Sequence, residues 1–423
     1  MHSEDPAALP GSTAANASSR RKLPLDGVLV LDFSRLLPGP WCTQMLGDLG
    51  AEVIKIEAPG SGDPSRHNAP RNRESSVYFN TVNRNKRSIA LDLRSAGGKE
   101  VVGRLIKRAD VIVESFSVGV AARLEIDYET VRRLNPRVVY CSITGFGQEG
   151  PLARSPGHDL VLQCGTGLMN VNGGDGTGVH VPGFQAADYA GSVYACIGIL
   201  AAIIKQRESR SGCYLDIAMF DSLFSMCNIV LTGALAQAAG SADASRMQVW
   251  GANPRYAVYR TADDKAVAVS LLETRLWKSF CEFIGRPDLV SVDESPADRH
   301  SDHGERSEEY RAAITEYCSI RTRDEISSEM QAADIPICPV LSPEEAIASQ
   351  NVLERGLVES IDHSHEGAIL QLGNPLARAG LADTRRRPAP VLGQDTNALL
   401  AEIGYSELER SRLLQSGAFG PRP

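Results

Sequence analysis

No two cysteines in this 423-residue chain stand at CxxC spacing, and no Cys/His cluster has the spacing of a metal site. The nine cysteines are odd in number and scattered, so they read as small buried hydrophobes of a reducing compartment; no metal centre is expected. No GxGxxG follows the first strand-like run, and GxxxxGK followed by Ser or Thr occurs nowhere, which leaves the usual dinucleotide and nucleoside-triphosphate sites unsupported. No uninterrupted apolar run approaches the roughly 18 residues of a spanning helix, and the N-terminus lacks the charged-then-apolar order of a secretory signal. Positive charge is in deficit. A net charge of -8 argues against nucleic acid or an anionic membrane as the main partner and leaves room for a local basic pocket. Together these absences predict a cytoplasmic protein with no membrane or nucleic-acid partner.

What is present is ordinary in bulk: 43% apolar and 23% charged residues, in a chain long enough for two or three domains. Residues 1–22 are rich in Ala, Ser and Pro with little to bury, and predict a disordered tail. Order begins at Val28–Phe33, a strand-like run, followed by a helix over Trp41–Leu49 that Gly50 ends, and a second strand over Ala51–Glu57. This is a βαβ unit, which favours a right-handed crossover in a parallel sheet. The pattern repeats with strands at Ser88–Leu93, Ala109–Glu114 and Val138–Ile143 and helices at Ala96–Arg108 and Tyr128–Leu134. Such alternation predicts an open, doubly wound α/β sheet with ligands at the carboxyl ends of its strands. The cluster Asn83–Arg87 reads as a solvated turn.

The stretch from Gly157 to Asp188 holds His158, Asp159 and Asp188 among many glycines in otherwise apolar sequence. Ionisable groups are expensive there unless used or paired, so a carboxylate is a candidate nucleophile or base. Asp188 alone is equally well read as the N-cap of a helix over Tyr189–Gln206. Arg94 and Arg123, near strand ends beside apolar residues, suit a ligand with phosphates and a flat ring, although spacing alone favours ordinary surface residues.

The runs LDFSRLLPGPWCTQMLGDLGAEVIKIE, NRNKRSIALDL, ADVIVESF, LNPRVVYCSITGFGQEGP, GHDLVLQ and AADYAGSVYACIGILAAI, with the later PICPV and LGQDT, resemble the family III coenzyme A transferases. That group includes formyl-CoA transferase, the CaiB/BaiF-type enzymes and the α-methylacyl-CoA racemases. The resemblance implies a large Rossmann-like domain built from both chain ends (23–227 and 336–423), a smaller inserted α+β domain (228–335), and two chains interlocked as a dimer. In this sequence Tyr256–Val269 reads as a hairpin turning at Asp263-Asp264, with helices at 273–285, 306–319 and 323–333.

The resemblance also assigns chemistry. It implies that Asp188 attacks the acyl thioester, forming a mixed anhydride and then an aspartyl-CoA thioester from which an acceptor acid takes CoA. It places Leu91 and Arg94 at the adenine and phosphates of CoA, Ser115 and Phe116 along pantetheine, and Arg123 and Leu124 at a nucleotide contact. No permanently bound cofactor or metal is implied; acyl-CoA and a carboxylic acid are the partners, with a homodimer expected and a heteromer as the alternative.

Several positions depart from formyl-CoA transferase. Ala58 replaces an arginine that stacks on adenine, leaving Lys55 or Arg66 as substitutes, and Leu37 replaces a glutamine that seats small acids. Leu36, Leu37 and Trp41 thus favour a larger or more apolar acyl group. His158 in its GHD context, with Glu273 in LLETRLW, instead resembles the racemases, where a His/Asp pair would exchange the α-proton. Two alternatives therefore stand beside the transferase: a 2-methylacyl-CoA racemase using His158 and Asp188, and a non-catalytic CoA-binding subunit.

Overall fold

The computed structural model describes residues 22–171, 179–242, 250–296 and 298–420. The expected tail lies outside them apart from Lys22, as do the glycines between 173 and 178. Six parallel strands form the main sheet: β1 (Leu29–Asp32), β2 (Glu52–Glu57), β3 (Lys86–Ala90), β4 (Val111–Glu114), β5 (Val139–Thr144) and β6 (Cys213–Ala218). Their spatial order is β3-β2-β1-β4-β5-β6. Val30 pairs with Val53 on one side and Val111 on the other, so the direction of winding reverses between β1 and β4. That reversal opens a crevice at the carboxyl ends of these two strands.

The strands read as Val/Ile runs because helices cover both faces; β4 and β5 are buried throughout. One face packs Leu46, Val113, Ile143, Leu162 and Ile199 together. The other gathers Leu31, Ile54, Val101, Leu105 and Ile112 with Leu399, Leu400 and Leu413 of the C-terminal helices Thr396–Glu402 and Glu407–Gln415. Both ends of the chain thus meet on one sheet. A third core, around Trp277, Phe280, Ile314 and Met330, sits under the antiparallel strands β7 (Tyr256–Arg260), β8 (Ala266–Ser270) and β9 (Ile337–Pro339). The hairpin turns as expected, with Asp264 at φ 57°. The PICPV segment, read as the return to the large domain from residue 336, instead pairs with β8, so the chain leaves the small sheet only after Pro339.

Two further expectations change. Asn83–Arg87 is buried, because carboxylates meet it: Arg84 and Asn85 bond to Asp48 at 2.7 and 2.8 Å, Lys86 to Asp32 at 2.9 Å and Arg87 to Glu402 at 2.7 Å. Strand β3 accordingly starts at Lys86. The helix expected over Tyr189–Gln206 runs from Ala186 to Ser209, which puts Asp188 inside its first turn, past the N-cap. With a mean hydropathy of 1.7 this helix is long and apolar enough to cross a membrane, contrary to the run-length reading, but half of that window is buried inside the fold.

Candidate active site

The crevice is shaped by the loop after β1. Asp32 is fully buried and accepts from Thr43 Oγ1 at 2.7 Å, Lys86 Nζ at 2.9 Å and the Ser34 amide at 2.9 Å. Lys55, equally buried, lies 2.9 Å from Asp63 and donates to the Ser34 carbonyl at 2.9 Å. Asp63 in turn accepts from the Leu36 amide at 3.1 Å. Burial alone would discharge Asp32; the ammonium groups of Lys86 and Lys55 outweigh it and hold its carboxyl far below the ordinary range. This internal lattice pins Ser34 and Leu36, the latter at φ 64°, and so aims Arg35 and Leu36 into the crevice. The Arg35 amide donates to Ser115 Oγ at 3.0 Å, joining the loops after β1 and β4 where the winding reverses. The Arg35 guanidinium lies 5.4 Å from the centre of the Phe116 ring.

Two clefts share Arg35 and Phe116. The first, about 650 Å³, opens over the ends of β1 to β4 and is lined by Ala58, Leu91, Arg94 and Leu124 among others. Of the residues expected to hold the nucleotide, Leu91, Arg94 and Leu124 line it, and so does Phe116, expected along pantetheine. Arg94 is 85% exposed and lies 3.4 Å from Asp92. Arg123 is exposed beside the cleft, its guanidinium against Gly119, and is not part of the lining. Neither Lys55 nor Arg66 can replace the missing adenine-stacking arginine at Ala58. Lys55 is sealed in the lattice, and Arg66 is tied to Glu57 at 2.7 and 2.8 Å and lies 3.7 Å over Phe79.

The second cleft, about 520 Å³, contains Ser115, Ser117, Thr144, Arg154, His158 and Asp188. Asp188 is held from below. One carboxylate oxygen of Asp159 accepts the amides of Ala187 at 2.8 Å and Asp188 at 3.2 Å, and the other takes Gln163 Nε2 at 2.6 Å. Burial, reinforced by the charge of Asp159, pushes the Asp188 carboxyl up to about 7. The Tyr78 phenol is held protonated by burial and by the proximity of Asp188 and Asp63. His158 is exposed and lines the same cleft, but makes no hydrogen bond to Asp188 among the described residues. Glu273 lines neither cleft: it stands at the start of the helix Thr274–Phe283 against the small sheet, exposed, 4.0 Å from Arg299. Leu37 is buried and Trp41 packs edge-on against Tyr189 in a different cavity, so of the three apolar residues expected at the acyl group only Leu36 lines this cleft.

Asp159 stands in the sequence without a role assigned to it, although its place directly after His158 is a signal. Arg35, Tyr78 and Arg154 carry no local signal and emerge only when the loops converge.

Residues 25–396 match the family described as CoA-transferase family III. The chain belongs to the family III CoA-transferases. It is 33% identical over 394 residues to the acetyl-CoA:oxalate CoA-transferase of Acetobacter aceti, covering 92% of this chain and 98% of that one. It is 30% identical to the human succinyl-CoA:glutarate CoA-transferase, covering 93% and 89%. A CaiB/BaiF family protein from Brucella suis superposes with a TM-score of 0.77 at 29% identity, covering 90% of this chain and all of the other. The CoA-transferase is therefore an enzyme acting on CoA thioesters. The racemase reading is not favoured, since these curated relatives are named as transferases.

Proposed function

We propose that this CoA-transferase moves CoA from an acyl-CoA donor to a free carboxylic acid with Asp188 as the covalent nucleophile. The observation that carries this reading is that the two clefts adjoin, sharing Arg35 and Phe116 in their linings, with Asp188 in the second. A nucleotide seated over β1 to β4 would run its pantetheine arm past Phe116 toward that carboxylate.

A carboxylate oxygen of Asp188 adds to the thioester carbonyl and the C–S bond breaks, giving an acyl-aspartyl anhydride and CoA thiolate. The thiolate attacks the aspartyl carbonyl of the anhydride, expelling the donor acid and leaving aspartyl-CoA thioester. An acceptor carboxylate adds to that thioester and expels thiolate; the thiolate then attacks the acceptor carbonyl of the new anhydride, forming product and freeing Asp188. No proton is gained or lost overall. The raised Asp188 carboxyl suits the cycle, because a more basic carboxylate is a better nucleophile when ionised. The active unit is read as a cytoplasmic homodimer; the exposed Tyr194, Ile197 and Ile204 on the long helix support the dimer, and the mass in solution checks it.

The test is to incubate the protein with acetyl-CoA or succinyl-CoA without acceptor, quench, and treat with hydroxylamine. An adduct on Asp188 that hydroxylamine removes, absent from Asp188→Ala, is expected. Deuterium uptake at the α-carbon of a 2-methylacyl-CoA in D2O, without such an adduct, would overturn the reading in favour of proton abstraction.

A further inference from the structure

Every described residue that lines the larger cleft lies between Phe33 and Leu124 except Gly420, which follows the helix Glu407–Gln415. Gly420 is held there by close packing. The Asp92 amide donates to the Ala418 carbonyl at 2.8 Å, and Ala418 is fully buried. A Cβ on Gly97 would stand 2.8 Å from Ser416 Oγ and 3.0 Å from the Ala418 Cβ. A Cβ on Gly420 would stand 2.5 Å from the rigid ring of Pro59, and the φ of 84° at Gly420 is one that glycine adopts at no steric cost. Phe419 packs on the apolar cluster that includes Leu91 and against which Leu124 also rests, both in the cleft lining.

The segment Gly417–Gly420 thus fills the gap between two loops of the cleft, the one after β2 with Ala58 and Pro59 and the one after β3 with Asp92 and Arg94. Its hold on Asp92 extends to Arg94. The Asp92 carboxylate accepts the Arg94 amide at 3.0 Å and lies 3.4 Å from the guanidinium, so the turn that presents this cation is tied to Ala418. Strands β2 and β3 lie on the opposite side of β1 from β4, and no residue of their loops lines the cleft of Asp188. When a thioester carbonyl is at Asp188 and its pantetheine arm passes Phe116, what reaches Pro59 and Asp92 is the nucleotide.

We infer that Gly417–Gly420 is a specificity-determining wall of the nucleotide site, which makes the CoA-transferase favour CoA thioesters over thioesters of pantetheine alone. The inference rests on the acyl-transfer reading above and adds the element that grips the far end of CoA. Because packing has already fixed the segment, little ordering entropy remains to be lost when a nucleotide settles against it. Arg94, steadied by the same contact, supplies a charged donor for a phosphate, while Ala58, next to Pro59, contributes only a methyl group.

The test compares acetyl-CoA with S-acetylpantetheine as donors to a common acceptor such as succinate, in the wild type and in Gly420→Val. Valine at φ 84°, with its Cβ against Pro59, pushes the segment off the cleft. The ratio of kcat/KM for acetyl-CoA to that for S-acetylpantetheine is expected to fall by about 10-fold or more in the variant, chiefly through the KM of acetyl-CoA. Hydrogen–deuterium exchange on the wild type adds a readout that needs no substitution: CoA should slow exchange in peptides covering Gly417–Gly420, and pantetheine should not. A ratio unchanged in Gly420→Val overturns the inference. So does exchange that CoA leaves unchanged or that pantetheine slows equally, and this measurement decides alone if the variant does not fold. If acetyl-CoA forms the hydroxylamine-sensitive adduct on Asp188 in either overturning case, the transferase reading stands and only the wall fails; if no adduct forms, both fail.

Discussion

Asp159 caps the helix that carries Asp188 and at the same time faces that residue with a like charge. Its Oδ1 receives the amides of Ala187 and Asp188, at 2.8 and 3.2 Å, while its negative charge helps to raise the Asp188 carboxyl. The two effects can be separated. Asp159→Asn keeps an oxygen for the amides and removes the charge, so the midpoint of the pH–rate profile should move to lower pH, at the cost of the hydrogen bond from Gln163 Nε2, about 0.5–1.5 kcal/mol. Asp159→Ala removes the cap as well and should cost about 0.5–2 kcal/mol in chemical unfolding. An unshifted midpoint in Asp159→Asn would mean that burial alone sets the Asp188 carboxyl.

In the wild type, formation of the aspartyl adduct requires ionised Asp188. Since burial and Asp159 push this carboxyl up to about 7, the single-turnover rate of adduct formation should rise between pH 5 and 8 with its midpoint near 7. A rate that is flat across this range would contradict the raised value.

The same carboxylate works against folding. Its folded value lies above the ordinary 3.8, so between 3.8 and about 7 the folded state holds a proton that the unfolded chain releases, and stability falls as pH rises through that window. Asp188→Asn should therefore unfold at a higher temperature than the wild type at pH 8, and the gain should vanish near pH 4. The ceiling on the gain is about 4 kcal/mol, reduced by partial exposure to solvent.

Lys86 meets Asp32, Pro40 and Asn83 in a fully buried environment. Lys86→Met leaves Asp32 with one distant ammonium at 4.0 Å, and should destabilise the fold by about 3–5 kcal/mol, measured by denaturant unfolding. Because Ser34 and Leu36 hang from this lattice, the variant should also raise the KM of the CoA ester.

His158→Phe should retain transfer within about tenfold of the wild type, since the transfer cycle asks no proton of the imidazole; loss of several orders of magnitude would reveal a general base. Steady-state rates with a fixed donor and acceptor measure this.

Much of the sheet was readable because βαβ units write their strands as short Val/Ile runs and punctuate them with glycine and proline. The helix Tyr128–Leu134 has the expected limits, and the strand near residue 139 is displaced by a single residue. What misled the reading was burial of charge. Asn83–Arg87 looks like a solvated turn because the carboxylates that neutralise it come from residues 32, 48 and 402, far away in the chain. Asp188 was legible as a candidate, but its place within the helix depends on a cap supplied by a different helix, and no cap stands at Gln185 to mark the start. Arg154 and Arg35 gain their meaning from the meeting of loops more than a hundred residues apart, which periodicity does not encode.

The wall common to both clefts, made by Arg35 and Phe116, has a kinetic corollary. A CoA thiolate expelled at Asp188 in the proposed cycle is still anchored by its distant nucleotide, so it behaves as an intramolecular reagent at high effective molarity. On that cycle its return to the anhydride should outrun its escape and its capture by water, so that the intermediate would need shielding only for the time a leashed sulfur takes to swing back.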